Sequence, residues 1–183
     1  MDDIAHAANN LPNYSTSNII SQFKIEGIAK NRGWAFELRQ VVKKNNTSAT
    51  YGGQIPNAQH GSKFDMRVGD KLDEFKSTES ITGTLYNPSN SNNKINQLLD
   101  YFGGINKADD LAITFDTKAL GTGVSAVDEM KTVIGNLKTQ IFPRMNASLR
   151  NDIFNKTGVL IEDVSDIDLD VINYLANTIV KID

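Results

Sequence analysis

A predicted β-hairpin constrains the fold of this chain more than any other feature. Its strands are expected near residues 63–68 and 71–78, joined by a tight turn at Gly69-Asp70. Side chains alternate between the two faces of a strand. Glu74 and Lys76, both on the second strand, are therefore expected to point to the same face.

Asp65 lies on the first predicted strand, and pairing across the turn would bring it to the patch that holds Glu74. Two carboxylates and the Lys76 ammonium would then crowd one end of a sheet. This grouping is unfavourable as packing, but it suits a hard divalent cation beside a scissile phosphate.

The predicted helix over residues 34–44 carries a carboxylate at the edge of its apolar stripe. Glu37 lies three residues after Trp34 and four before Val41, so it borders the buried face. Burial of a carboxylate there costs free energy unless something compensates it. A metal site is one compensation; a salt bridge or an outward rotamer are the alternatives. Gln40, on the same face, is a candidate contact to substrate or to a metal-bound water, or else a surface glutamine.

The remaining pattern mixes helices and strands, which favours an α/β (α+β) fold in one domain. The run Leu111–Phe115 is apolar apart from one threonine and indicates a buried central strand. A weaker strand is predicted at residues 48–55, and residues 1–16 are expected to be a loose lead-in. The other predicted helices cover residues 18–29, with a break at 31–33, and residues 94–102, 125–137 and 166–180.

Asp65, Glu74 and Lys76 stand in the order Asp, variable gap, Glu, any residue, Lys. This pattern resembles the signature of the PD-(D/E)xK nuclease superfamily, and Glu37 takes the place of a further acidic residue that many members carry on the preceding helix. The resemblance covers roughly residues 33–137. It implies a restriction-endonuclease-like core of helix-strand-strand-strand-helix-strand, here with extra N- and C-terminal helices.

The same resemblance implies metal-dependent hydrolysis of phosphodiester bonds in DNA or RNA, transfer RNA included. Asp65, Glu74 and Glu37 would bind Mg²⁺ (or Mn²⁺ or Zn²⁺), with the Phe75 carbonyl as a further ligand. Lys76 would orient or deprotonate the attacking water and offset negative charge on the phosphate.

Three further residues lie close in sequence to Asp65 or Lys76. Phe64 stands where the family pattern has a proline before its first aspartate. His60, in the preceding loop, is a candidate contact to phosphate or metal, or a solvated loop histidine. Ser77 would lie near the rim of the cleft, as a candidate substrate contact or a plain strand-end serine.

Composition excludes cysteine-dependent sites and argues against nucleic-acid binding. The chain of 183 residues has no cysteine, which excludes a disulfide framework, a Cys-ligated zinc site and a thiol nucleophile. Its net charge of −3 weighs against nucleic-acid binding, although the acidic residues concentrate at positions 158–183. No apolar run approaches the length of a membrane helix, and no signal peptide is expected before the fold.

The chain also resembles the C-terminal toxin domain of a bacterial contact-dependent growth inhibition system or another polymorphic toxin. That resemblance implies a polar, helical segment over residues 1–30 and a nuclease domain with a helical C-terminal extension over residues 31–183. It implies delivery as part of a larger secreted or cell-surface toxin, action in the target-cell cytoplasm and a cognate immunity protein. The alternatives are an ordinary cytoplasmic restriction or repair nuclease, and a non-catalytic acidic binding or immunity-type protein.

Overall fold

The computed structural model describes residues 2–11, 13–15, 28–86 and 94–183. These residues form a mixed α+β fold around one five-stranded sheet. The strands are β1 (Thr50–Tyr51), β2 (Met66–Val68), β3 (Lys71–Lys76), β4 (Leu111–Phe115) and β5 (Val180–Ile182). The α-helices are α1 (Asp2–Asn10), α2 (Ile28–Lys44), α3 (Ile81–Leu85), α4 (Ile95–Gly104), α5 (Ala126–Ile141), α6 (Ala147–Thr157) and α7 (Leu169–Ile179).

The sheet has the strand order β1-β2-β3-β4-β5 and mixes both pairing directions. The first three strands pair antiparallel, whereas β3–β4 and β4–β5 are parallel. The predicted hairpin is confirmed: Val68 pairs with Lys71 across a two-residue turn, and Gly69 has φ +62°, as glycine permits at the first position of such a turn. The predicted central strand is confirmed at Leu111–Phe115.

Two hydrophobic clusters lie on opposite faces of β3. Leu72 belongs to the larger cluster, which includes apolar residues of α4, α5, α6 and α7. Phe75 belongs to the smaller cluster, with Phe36 and Val41 of α2 and Ala7 of α1. Because residues three apart on a strand point to opposite faces, β3 lies between two helical layers.

The later helices begin and end where their sequences supply caps. Ser125 Oγ accepts the Asp128 N–H at the start of α5, and Asn146 Oδ1 accepts the Leu149 N–H at the start of α6. Gly158 ends α6 in the left-handed conformation. The helices predicted at residues 94–102, 125–137 and 166–180 are present as α4, α5 and α7, with ends that differ by one to four residues.

The predicted helix break at residues 31–33 is wrong. Helix α2 runs without interruption from Ile28 to Lys44. Gly33 costs a helix about 1 kcal/mol relative to alanine, but burial of Phe36 and Val41 in the smaller cluster outweighs that local preference. The predicted division between residues 30 and 31 falls inside this helix.

The N-terminal lead-in is also more ordered than predicted. Residues Asp2–Asn10 form α1, and Ala7 and Leu11 are buried in the smaller cluster. Most of the helix predicted at residues 18–29 falls on positions 16–27, outside the described residues.

Three further differences concern short elements. The strand predicted at residues 48–55 is reduced to Thr50–Tyr51, followed by an isolated bridge between Gln54 and Lys63. Neither α3 nor β5 is predicted by the sequence pattern, because each is very short. Strand β5 follows directly on α7 and continues its apolar run. Among the described residues, no helix has the length and apolar character needed to cross a membrane.

Candidate functional site

A cleft of about 700 Å³ lies at the C-terminal end of β3. Its walls are the first half of α2, the loop over residues 60–65 and the start of α4. All four residues of the predicted catalytic set line it: Glu37, Asp65, Glu74 and Lys76.

The hairpin places Asp65 at the point where the pairing of β2 with β3 ends. Met66 pairs with Asp73 as the last register pair, and Asp65 lies immediately before β2 rather than within it. The Asp65 N–H donates to the Asp73 carbonyl at 3.2 Å, and the Asp65 Oδ2 accepts the Phe75 N–H at 2.7 Å. The Asp65 side chain therefore takes the position of the next backbone partner for β3.

The Phe75 carbonyl is expected at the same edge as the Phe75 N–H. The Lys76 carbonyl accepts the Asp116 N–H on the β4 side, and successive residues of a strand direct their backbone groups to opposite edges. The Phe75 oxygen therefore lies on the side of Asp65, within the cleft wall.

Glu74 and Lys76 point to the same face, as the alternation predicts. Lys76 Nζ donates to Glu74 Oε1 and, at 3.3 Å, to Gln97 Oε1. The Tyr101 hydroxyl donates to Glu74 Oε2. Glu74 is only 2% exposed, so both of its oxygens have protein partners inside the fold.

Glu37 reaches the cleft from α2. Its Oε1 accepts a hydrogen bond from the Tyr14 hydroxyl at 3.2 Å. Arg39, two residues along, instead lies 3.7 Å from the Asp116 carboxylate. Among the described residues, the hydrogen-bond partner of the Glu37 carboxylate is therefore a neutral phenol.

Two acidic side chains of the cleft, Glu37 and Asp65, have raised pKa values, chiefly because the fold removes them from water. Burial raises the pKa of Glu37 to about 7, with a smaller contribution from the Glu74 carboxylate, while the Tyr14 hydroxyl and Lys76 act in the other direction. Burial, followed by repulsion from Glu74, also raises the pKa of Asp65 well above its ordinary value. Burial alone would lower the pKa of Lys76, but Glu74, Asp65 and Glu37 outweigh it and raise that pKa.

The charge balance of this cluster suits a divalent cation. Three carboxylates face a single ammonium, and carboxylate and carbonyl oxygens are the ligands that Mg²⁺ and Mn²⁺ prefer. The donor types therefore fit the metal that the sequence pattern implies. In the described part of the chain, however, no three acidic or histidine side chains are grouped closely enough to hold one ion as they stand. Glu74 already accepts one hydrogen bond at each oxygen, from Lys76 and from Tyr101, so a cation would share these oxygens with those donors or displace one of them.

The three candidate substrate contacts differ in position. His60 lines the cleft, and its Nδ1 lies 3.0 Å from Oδ1 of Asp100. Ser77 also lines the cleft and donates to Asp116 Oδ2 at 3.2 Å. Gln40 is outside the cleft lining; it is 3% exposed and donates to Asp183 Oδ2 at 2.6 Å.

Asp100 is a fully buried carboxylate that sequence reasoning missed. It accepts the backbone N–H groups of Gln59, His60 and Ser62 at 3.0 to 3.3 Å, and Arg144 lies 3.8 Å away. It thereby fixes the loop that forms one wall of the cleft.

Sequence reasoning also missed the α4 residues that hold Glu74 and Lys76. Gln97 and Tyr101 are four residues apart, a spacing that places them on one face of the predicted helix 94–102. The sequence shows this spacing, but it does not show that this side of the helix contacts the face of β3 that carries Glu74 and Lys76. Lys63 and Lys94 add two exposed amines to the cleft lining.

Comparisons of the chain with protein-family models, with curated proteins and with solved structures found no match. Its function must therefore be argued from the chemistry of this cleft.

Proposed function

We propose that this protein is a metal-dependent endonuclease that hydrolyses phosphodiester bonds of DNA or RNA. The observation that carries the proposal is the convergence of Glu37, Asp65, Glu74 and Lys76 on one cleft. Buried carboxylates that strongly perturb one another are more common at functional sites than in structural cores.

Each residue has a role in this proposal. Asp65 and Glu74, with Glu37 and the Phe75 carbonyl, would hold Mg²⁺, Mn²⁺ or Zn²⁺. When bound, that ion would polarise a phosphoryl oxygen and make a water molecule more acidic. Lys76 would orient the attacking water and offset the charge that develops on the phosphate as the water oxygen bonds to phosphorus and the ester oxygen leaves.

The exposed amines favour a phosphate-bearing substrate. Lys63 and Lys94 stand in the same cleft lining as the acidic cluster. Phosphate contacts by lysine supply much of the affinity of nucleic-acid-binding proteins, so in this proposal the two side chains would contact phosphates of the bound strand.

The test is a cleavage assay on plasmid, genomic DNA and total transfer RNA, with Mg²⁺ and with EDTA. Asp65→Asn and Lys76→Ala are expected to lower the cleavage rate by about 10²- to 10⁴-fold. Lys131→Ala, which removes a lysine paired at the surface with Asp128, is the matched control and should cleave normally. Cleavage that persists at the full rate in both site variants, or in EDTA, would overturn the proposal. So would a properly folded wild-type protein that cleaves none of these substrates.

One observation favours a second candidate, a non-catalytic acidic protein that binds a basic partner or acts as an immunity protein. Glu74 is already satisfied by Lys76 and Tyr101, which is what a purely structural cluster would show. Calorimetry separates the two candidates: uptake of Mg²⁺ or Mn²⁺ that is lost in Asp65→Asn supports the nuclease. Absence of uptake, alone and with nucleic acid, supports the binding protein.

For the biological setting we propose the one that the sequence resemblance implies. The chain would act as the toxin domain of a larger secreted or cell-surface protein, in the cytoplasm of a target cell, and an immunity protein would block the cleft. Growth arrest on expression, relieved by the product of the neighbouring open reading frame, is the expected result. Harmless expression of an active nuclease would instead favour a restriction or repair enzyme.

A further inference from the structure

A second cavity, of about 410 Å³, adjoins the cleft. Four residues line both: Trp34, Glu37, Lys63 and Asp65. The second cavity therefore opens beside the acidic cluster, with Lys63 at the boundary between them. Its volume lies in the range of small-molecule sites in proteins.

Four of the residues that line the second cavity are aromatic: Tyr14, Trp34, Tyr51 and Phe64. Trp34 is half-buried, and the rings of Tyr14 and Tyr51 meet edge to face with centroids 4.9 Å apart. The Tyr14 hydroxyl is engaged by Glu37, and the Tyr51 hydroxyl donates to the Asn46 carbonyl at 3.1 Å. These hydrogen bonds fix the two phenols in place.

Fixed aromatic rings beside a phosphate-binding amine are the features that bind nucleotides. Bases stack on Trp and Tyr whatever their identity, because every base has a π face. A base inside a duplex is stacked on its neighbours and cannot enter such a cavity unless it is extruded. A cavity that holds one stacked base would therefore bind unpaired nucleotides more tightly than paired ones.

We propose that the cavity lined by Trp34, Tyr14 and Tyr51 binds one unpaired base of the substrate, next to the phosphate held at Lys63. The protein then acts on single-stranded nucleic acid or on unpaired nucleotides within a folded one. This inference rests on the proposed function for the identity of the ligand. It concerns binding, however, and can be tested without cleavage.

Trp34 is the only tryptophan of the chain, so its fluorescence reports on ligands that enter this cavity or the adjoining part of the cleft. The wild-type protein, in EDTA to prevent hydrolysis, is titrated with four probes: single-stranded RNA, single-stranded DNA, a blunt duplex of the same sequence and an abasic strand of the same length. Both base-bearing single strands should quench the fluorescence. The duplex and the abasic strand, which carry the same kind of backbone charge, should bind at least about tenfold more weakly. A preference between RNA and DNA would identify the substrate.

Variants test the stacking itself, with binding followed by the anisotropy of a labelled strand. Trp34→Ala and Tyr51→Ala should each weaken single-strand binding by about 5- to 150-fold, the loss expected for one stacked base, whereas Trp34→Phe should keep most of the affinity. Phe154→Ala, at an aromatic residue that is 45% exposed on α6, is the control and should bind normally. Thermal melting identifies any variant that fails to fold, and the remaining alanine variant, with the selectivity of the wild-type protein among the four probes, then carries the test.

The outcomes separate this inference from the nuclease proposal. Equal quenching by all four probes, or no quenching, would overturn the base cavity even if the protein cleaves nucleic acid. Selective quenching by base-bearing strands would support the base cavity even if no substrate were cleaved. In that case the cleavage assay would refute the nuclease proposal and the base cavity would stand.

Discussion

The raised pKa of Glu37 makes the stability of the protein depend on pH in a way that one substitution should abolish. Burial raises that pKa from its ordinary 4.5 to about 7. Between these two values the folded protein binds more protons than the unfolded chain. The free energy of unfolding therefore falls as the pH rises through this window, and it stays lower above pH 7.

The size of the effect follows from the two pKa values. The interval from 4.5 to about 7, at about 1.36 kcal/mol per pH unit, corresponds to roughly 3 kcal/mol. Glu37→Gln keeps an oxygen that can accept the Tyr14 hydroxyl, but it cannot ionise. We expect the variant to match the wild type near pH 4 and to exceed its stability by about 3 kcal/mol above pH 7. For a domain of this size, that difference raises the melting temperature by about 6 to 12 °C.

The assay is thermal melting in EDTA from pH 4 to pH 9, with Glu162→Gln as the control at an exposed glutamate. Asp65 is present in both proteins, and the main causes of its raised pKa, burial and Glu74, are unchanged by the substitution, whereas the smaller contribution from the Glu37 charge is lost in the variant. A divalent cation should raise the melting temperature of the wild type above pH 7 and have much less effect on Glu37→Gln. A variant with a constant offset at every pH, or one less stable than the wild type at pH 8, would refute the reasoning.

Two further substitutions test the walls of the cleft by chemical denaturation. Gly104→Ala should lower the free energy of unfolding by about 1–3 kcal/mol, because the new Cβ would lie 2.7 Å from the Pro56 carbonyl oxygen. Its control is Gly103→Ala, whose nearest such neighbour is 3.9 Å away, so this variant should gain up to about 1 kcal/mol; equal effects in the two variants would contradict the packing argument. Asp100→Asn should cost about 1–3 kcal/mol at neutral pH, because an amide cannot accept all of the N–H groups of the loop at residues 59–62. Burial raises the pKa of Asp100, but those hydrogen bonds outweigh it and leave the pKa below the ordinary 3.8. The contribution of Asp100 is therefore complete above pH 3.8 and is lost as the pH falls through the lower pKa of the folded protein, and a variant of unchanged stability would rule out this role.

The parts of the fold that were predictable from sequence are those decided by local rules. The turn at Gly69-Asp70 needs only two residues, and the run Leu111–Phe115 needs only its apolar character. Both are present as predicted. The break at residues 31–33 was predicted from local preference as well, but burial of the following turns of α2 overrides it. The short strand β5 pairs with β4 in parallel, a contact between distant residues that no local pattern signals.

The candidate site likewise has a part that local rules predict and a part that depends on distant contacts. Strand alternation was enough to place Glu74 and Lys76 together, and the hairpin was enough to bring Asp65 beside them. The partners that satisfy these groups come from elsewhere: Tyr14 from a segment predicted as loose, and Tyr101 from a helix whose sheet-facing side was unknown. The strand pattern shows which of these side chains share one face, whereas their hydrogen-bond partners depend on how helices dock onto the sheet.

The Asp65 carboxylate accepts the Phe75 N–H where a backbone carbonyl would otherwise do so. It therefore supports β3 as well as lining the cleft, and this limits which residues can replace it. A substitution that removes both oxygens at position 65 would leave the Phe75 N–H without this acceptor and weaken the end of β3. If the protein is the nuclease proposed above, a descendant that lost the activity but stayed folded is expected to keep asparagine or another acceptor at position 65, and to vary first at Glu37, whose replacement by glutamine is predicted to stabilise the fold.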